Sequence, residues 1–303
     1  MTVSYCIPLY NKERYIAAVL EAALAERAQT GGEILVYDDC SIDASAEIAA
    51  GIAAQAPVTL IRGSQNCGVF EATNRLVARA GQPYLRLVDA DDRILDGSTA
   101  YLRALLDRHE ALLAQGICGS EDAEPAPQDF GAAETRIEEQ PVRPLLRNID
   151  FNLSASLMPT AAARAVLPLP GALRIGQDFC VSLRLAKRGR LVRSAAIVTL
   201  QPVETGNRLS RKLAAMYRDL CLIVAEELQG GIGPQDAAYA VRRQAARCTR
   251  YFRREAPGGL GLADRAFLLR CRLGTALEPV ALQAARLQRI AGLFGRDAQR
   301  VLS

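Results

Sequence analysis

The sequence predicts an α/β protein, a mainly parallel sheet flanked by helices, with a helical appendage at its C-terminus. Three observations predict it. Strand-length apolar runs alternate with helix-length segments through the first 115 residues. Each of these runs stops at a polar or acidic signature. Beyond about residue 210 strand signals give way to Ala-, Leu- and Arg-rich helical segments.

Val3–Ile7 reads as the first strand, followed by a turn at Pro8–Asn11 and a helix over about Arg14–Arg27. Glu33–Tyr37 is a second strand that ends at Asp38 and Asp39, and Ser41 or Asp43 can cap a helix over about Ala44–Gln55. Val58–Ile61 is a third strand, leading to a polar loop that holds Asn66 and Gly68. Val69–Ala80 reads as helix, Tyr84–Val88 as the fourth strand and Ser98–Ala114 as helix again. Strands spaced by helices of this length imply right-handed βαβ units and a parallel sheet covered on both faces. Ligands of such sheets bind at the carboxyl ends of the strands, where the polar signatures fall.

From about Ser120 to Arg147 the periodicity fails. Pro125, Pro127, Pro141 and Pro144 mark an irregular insertion, either a lid or surface decoration. Asn152–Met158 then reads as a short strand, Ala161–Val166 as a short helix, Asp178–Arg188 as a longer helix ending at Gly189, and Leu191–Leu200 as a strand. These bounds divide the chain into an α/β domain over residues 1–210 and a helical region over 211–303.

Composition narrows the function classes. Half of the 303 residues are apolar and 23% are charged, an ordinary globular balance. The net charge of +4 is too weak to argue for nucleic acid, although its Arg-rich, late position suits phosphate-bearing ligands or an anionic membrane surface. For the basic helical tail, packing onto its own domain, contact with a partner and peripheral contact with a membrane all stand open. No apolar run is long enough to cross a bilayer, and a strand begins at Val3, so a cytoplasmic protein is expected. Eight scattered cysteines without a C-x-x-C pair, and His109 as the one histidine, set aside zinc clusters, disulfide scaffolds and a Ser-His-Asp hydrolase.

The segment Tyr84–Asp92 carries the sharpest chemistry: an apolar-rich strand delivers Asp89, Asp91 and Asp92 to the sheet edge. On an extended chain Asp89 and Asp91 point the same way. Two hard oxygen ligands with waters and phosphate oxygens completing the shell suit Mg²⁺ or Mn²⁺ on a nucleotide diphosphate. A solvated turn is the plain alternative. Tyr10 and Asn11 follow strand one, where a ring can stack on a base or simply pack. Asp38 and Asp39 follow strand two, where a carboxylate can accept from a pyrimidine N–H or cap a turn.

Together these motifs carry a resemblance. Residues 2–115 resemble the nucleotide-sugar-binding half of family 2 glycosyltransferases, which have a GT-A, Rossmann-like fold. The matching stretches are Ile7–Lys12, Val36–Asp43, Asn66–Gly68 with Asn74, and Val88–Asp92. A looser match covers about 148–210, through Gly176–Asp178 at the start of a helix and Gly206–Ser210.

The resemblance implies that Pro8 and Tyr10 flank the base and Asp39 hydrogen-bonds to it, while Asn11, Asp38, Asn66, Gly68 and Gln177 contact the substrates. Asp89 is implied near ribose and metal, Asp91 as ligand of the cation bridging the diphosphate, and Asp178 as the general base. Residues 116–210 would then form the acceptor side, with the 120–147 loop contributing to it or acting as a lid.

Three departures stand out. Gln177 occupies a position where the family often has Glu, Thr73 replaces an arginine often seen before Asn74, and Val203–Gly206 lacks the family's frequent histidine. Glu204 there would be repelled by a diphosphate, leaving Arg208, Arg211 or Lys212 to steady the phosphates.

The activity the resemblance implies is metal-dependent, inverting transfer from a nucleotide-diphosphate sugar, expected to be UDP-linked, to a hydroxyl of a polysaccharide or lipid-linked glycan. A catalytically impaired nucleotide-sugar-binding module is the alternative. A sugar nucleotidylyltransferase would need a glycine-rich loop where Pro8–Asn11 stands.

Overall fold

Parallel pairing builds the first half of the sheet. β1 (Val3–Leu9) pairs with β2 (Gly32–Asp38), and β2 with β3 (Val58–Arg62), all in parallel. β4 (Tyr84–Leu87) joins the other side of β1, also in parallel. The crossovers are α1 (Ile16–Thr30), α2 (Ser45–Ala53) and α3 (Val69–Arg79). The structure is a computed structural model that describes residues 2–122, 129–148, 151–203, 213–273 and 278–300, with side chains to residue 297. Tyr5, Ile7 and Leu9 of β1 share a fully buried core with Ile16, Leu20 and Ala23 of α1. Burial of this kind stabilises by about 1.5–3 kcal/mol per large aliphatic side chain.

Beyond β4 the sheet is mixed. The remaining strands are β5 (Arg93–Ile94), β6 (Leu113–Ser120), β7 (Thr135–Glu138), β8 (Ser156–Pro159) and β9 (Leu191–Gln201). The order is β3-β2-β1-β4-β8-β6-β9-β5, with β7 added to β9. β8 runs antiparallel to both β4 and β6, whereas β6 and β9 are parallel. α4 (Ser98–His109), α6 (Thr160–Ala165) and α7 (Gln177–Ala186) complete this unit.

Three sequence expectations are corrected. The helix expected over Ser98–Ala114 ends at His109, because Glu110 turns left-handed at φ 50°, and Leu113–Ser120 is the strand β6. Gly116 lies in that strand because a Cβ there would meet Val198 Cγ2 at 2.6 Å. The irregular insertion is partly regular: β7 pairs antiparallel with β9, and α5 (Val142–Arg147) follows. Residues 123–128 of that stretch lie outside those described. Finally, contacts group the chain as residues 1–139 with 151–205, and 140–150 with 206–303. Residues 140–150, assigned from sequence to the α/β part, therefore cluster with the C-terminal helices.

The second unit contains α5, α8 (Leu213–Gln229), α9 (Pro234–Arg254), α10 (Leu262–Leu273) and α11 (Val280–Arg300). Pro234 opens α9 at a position where its missing N–H is not needed. Ala237, Val241, Ala245, Cys248 and Phe252 recur at helical spacing and are buried. Tyr217, Tyr251, Phe252 and Phe294 form an aromatic cluster linking α8, α9 and α11, with centroids 5.2–6.3 Å apart. Arg243 and Arg247 both donate to the Arg147 carbonyl at the end of α5, at 3.0 and 3.2 Å.

One charged residue ties the α/β unit together. Arg86 in β4 is completely buried and lies 3.8 Å from the buried Glu26 of α1. Its guanidinium donates to the hydroxyls of Ser98 and Thr99 and to the carbonyls of Ser154 and Val198, at 2.7–3.1 Å. Glu26 accepts the backbone N–H groups of Gly97 and Thr99 at 2.5 and 2.8 Å. Both charges are fully partnered, so removing either leaves the other stranded. Arg86→Met should lower unfolding stability by about 3–5 kcal/mol in urea titration. A loss below about 1 kcal/mol would contradict this account of the pair.

Candidate active site

The site begins where the sheet opens. The chain steps from β1 through β2 to β3 on one side and then crosses to β4 on the other, so the order reverses between β1 and β4. Ligand crevices of open α/β sheets lie at such switch points. β4 pairs with β1 only as far as Leu87 opposite Cys6, while β1 continues against β2 to Leu9 opposite Asp38. Pro8 therefore sits beyond the β4 ladder, where its missing N–H leaves no bond unmade on that side.

The loops after β1 and β2 are laced to each other. Asn11 is left-handed at φ 52°, a conformation Asn tolerates, and its Oδ1 accepts the Ile42 N–H at 2.9 Å. The Asn11 N–H in turn donates to Ser41 Oγ at 3.1 Å. Asp38 is buried and accepts the Ser41 N–H at 3.2 Å within its own turn. Asp39 is buried as well. Its Oδ1 accepts the Cys67 N–H at 2.7 Å and its Oδ2 accepts the Gly68 N–H at 2.8 Å. The Asn66 side-chain amide donates to the Asp39 carbonyl at 3.1 Å. Asp39 thus holds the turn into α3, where Gly68 at φ 82° precedes the helix. The Cys67 thiol also donates to Asp39 Oδ1, at 3.0 Å, and since a carboxylate has about four acceptor directions, these three bonds leave capacity for one more donor, on Oδ2. Tyr10 is 44% exposed at the end of β1.

Acids from distant parts of the sequence converge at the end of β4. Asp92 is buried, and Asp89 and Asp91 are partly buried. The Asp91 carboxylate pairs with the Lys12 ammonium. The Asp89 N–H donates to Ser154 Oγ at 2.9 Å, and the Asn152 side chain donates to Asp92 Oδ2 at 3.3 Å. Asp178 enters from α7. It does not cap that helix: Gly176 is the N-cap, and no side chain caps it. Its carboxylate instead accepts from the Leu153 backbone. Gln177 beside it is buried. Arg208, with Glu204, Arg211 and Lys212, lies outside the described residues.

The electrostatics follow from this crowding. Burial, and then the charges of Asp178, Asp92 and Asp91, hold the Asp89 carboxyl well above the usual carboxylate range, with Lys12 pulling the other way. Burial, and then Asp92, push Asp178 up to about 7 despite the Leu153 N–H that favours its charged form. Asp89, Asp91, Asp92 and Asp178 thus form an all-oxygen cluster with an excess of negative charge, and Lys12 is the cation on Asp91. Among the described residues, no three His, Cys, Asp or Glu side chains are grouped so that together they could hold a metal ion.

Sequence reasoning had assigned no role to Arg86, Glu26, Asn152 or Ser154. An arginine inside an otherwise apolar strand was the available signal for Arg86. Asn152 and Ser154 carry no local signal, because what gives them their role is β8 lying beside β4.

Residues 4–162 match the family described as glycosyl transferase family 2, and that stretch is more than half of the chain. The chain belongs to this family. Among curated relatives, this family 2 chain is 32% identical over 113 residues to the succinoglycan biosynthesis protein ExoO of Rhizobium meliloti. The match covers 37% of this chain and 31% of ExoO, so the chain spans about a third of that relative's length. Among solved structures it is similar to S. aureus TarS 1-349 in complex with UDP-GlcNAc, with a TM-score of 0.68 and 17% identity over 99% of this chain and 92% of that one. It is also similar to the mannosyltransferase PcManGT of Pyrobaculum calidifontis in complex with GDP-Man and Mn²⁺, with a TM-score of 0.60 and 15% identity over 98% and 86% of the two chains. At these identities the structural likeness is one of fold, a mixed sheet flanked by helices of the GT-A type.

The raised pKa of Asp178 has a defined consequence for stability. The folded chain holds a proton up to about pH 7 that the unfolded chain releases near 3.8. Stability from this group is therefore full below about pH 4 and is lost as pH rises through about 7. The protein should show a Tm that falls between about pH 4 and 7 and levels off above that, and Asp178→Asn should flatten that slope. Equal slopes in parent and variant would refute this assignment.

Proposed function

We propose that this family 2 protein is a metal-dependent, inverting glycosyltransferase. It moves a sugar from a nucleotide-diphosphate sugar, UDP-linked, to a hydroxyl of a polysaccharide or lipid-linked glycan. The observation that carries the reading is the meeting of Asp89, Asp91 and Asp92 at the end of β4 with Asp178 at the start of α7, through mutual charge effects beside the switch point.

Each residue then has a task. Tyr10 offers an exposed ring for stacking on the base, with Pro8 beside it. Asn11, Asp38 and Asn66 hold the surrounding loops, and Asp39 with Gly68 presents the edge where a pyrimidine N–H finds an acceptor. Asp89 and Asp91 are the residues that would hold Mn²⁺ or Mg²⁺, which when bound supplies positive charge against the departing diphosphate. Asp178, with a pKa of about 7, is matched to taking the proton of the acceptor hydroxyl at neutral pH. Gln177 offers an uncharged side chain beside it for the acceptor. Arg208 is assigned to the phosphates on sequence grounds. Attack by a hydroxyl on the face opposite the leaving group forms the new glycosidic bond as the sugar–phosphate bond breaks, with inversion at the anomeric carbon.

Transfer from a panel of nucleotide sugars in the presence of Mn²⁺ tests the reading. Asp178→Asn should lower kcat by about 10²–10⁴-fold while UDP still binds, measured calorimetrically. Asp91→Asn should abolish the Mn²⁺-dependent part of that binding. A parent protein that binds UDP but transfers no sugar would be the binding module instead.

A further inference from the structure

The C-terminal helices carry a surface that the transfer reaction does not use. Residues 262–300 hold seven arginines against three acids, a surplus of four that equals the net charge of the whole chain. The three acids are engaged within the unit: Asp264 with Arg296 at 2.9 Å, Glu278 with Arg286 at 2.5 Å, and Asp297 as acceptor of the Tyr251 hydroxyl at 2.5 Å. Arg265, Arg270 and Arg272 on α10 make no ion pair among the described residues.

α10 has two opposed apolar faces. Phe267, Leu268 and Cys271 are buried. On the opposite side Leu262, Leu269 and Leu273 recur at helical spacing and are 86%, 53% and 77% exposed. With Leu282 of α11, 47% exposed, they are the only exposed leucines among the described residues. At 100° per residue, Arg265 and Arg272 flank the leucine stripe on one side and Arg270 flanks it on the other. Arg270 continues into an open groove of about 460 Å³ shared with Phe267, Leu282, Ala285, Arg286 and Arg289, where Arg289 lies 4.0 Å over the Phe267 ring.

A leucine stripe rimmed by arginines on both sides is the pattern of a helix lying in the plane of a bilayer surface, leucines in the acyl boundary and guanidinium groups at the phosphates. None of the described helices is long and apolar enough to cross a membrane. We infer that α10, with the adjoining edge of α11, docks this protein onto an anionic phospholipid surface. A second copy fits less well, because a self-complementary interface would set the arginine rim against itself. An anionic headgroup layer complements the rim.

Sedimentation of the full chain with vesicles tests this. Vesicles of phosphatidylcholine with about 30% phosphatidylglycerol should bind it, pure phosphatidylcholine should not, and about 0.5 M NaCl should release it. Joint replacement of Leu262, Leu269 and Leu273 by Ser, or of Arg265, Arg270 and Arg272 by Gln, should each cut the bound fraction at least about tenfold, and all six side chains are exposed. As a separate readout, Leu269→Trp should be quenched by brominated lipid in the anionic vesicles alone. Absent binding, equal binding to neutral vesicles, or triple variants that bind like the parent would overturn the inference. So would a concentration-dependent dimer that the serine variant dissolves, since the face would then belong to a second copy.

Discussion

The α/β unit depends on a fully buried charge pair, Arg86 with Glu26. A guanidinium in this position is tolerated only because its donors and the facing carboxylate are saturated by α1, α4, β9 and the segment before β8. The partners explain why it matters for chemistry. Arg86 grips the Ser154 carbonyl, Ser154 Oγ receives the Asp89 N–H, and the neighbouring Leu153 N–H reaches Asp178. A structural ion pair below the site thereby holds the segment that orients an acid from each half of the fold.

Above that pair the chemistry is governed by crowded negative charge. Asp89 and Asp178 are pushed toward protonation by burial and by neighbouring carboxylates, and Lys12, paired with Asp91, opposes this at Asp89. Such an arrangement is unfavourable in the protein alone, and the cation of the proposed function would relieve it. The departure from the family's acidic pair at Gln177 removes one more charge from a place already overfilled with them. A neutral amide there is electrostatically the less demanding choice.

Local patterns made much of the fold legible. β1 to β4 are compact apolar runs bounded by turn residues, and their helices carry clear periodicity, so their existence and order were readable. β6 was not. Leu113–Ser120 continues the Ala- and Leu-rich texture of α4, and the break falls at Glu110, which adopts a left-handed conformation without the glycine that usually marks one. β7 is four residues long with three of them exposed, and only the ladder to β9 makes it a strand.

The sequence by itself determined the alternating α/β plan, the acidic ends of β2 and β4, the family resemblance through Val88–Asp92, and the helical, arginine-rich C-terminus. Those properties are written in residue order and period, which local sterics and amphipathicity read directly. Tertiary structure alone decided that Asp178 lies among the β4 acids rather than capping its own helix, that Asp39 spends its carboxylate on the turn into α3, and that the leucines of α10 face outward. Each of these depends on contacts between segments far apart in the chain, where register and burial, not local preference, set which polar group finds which partner.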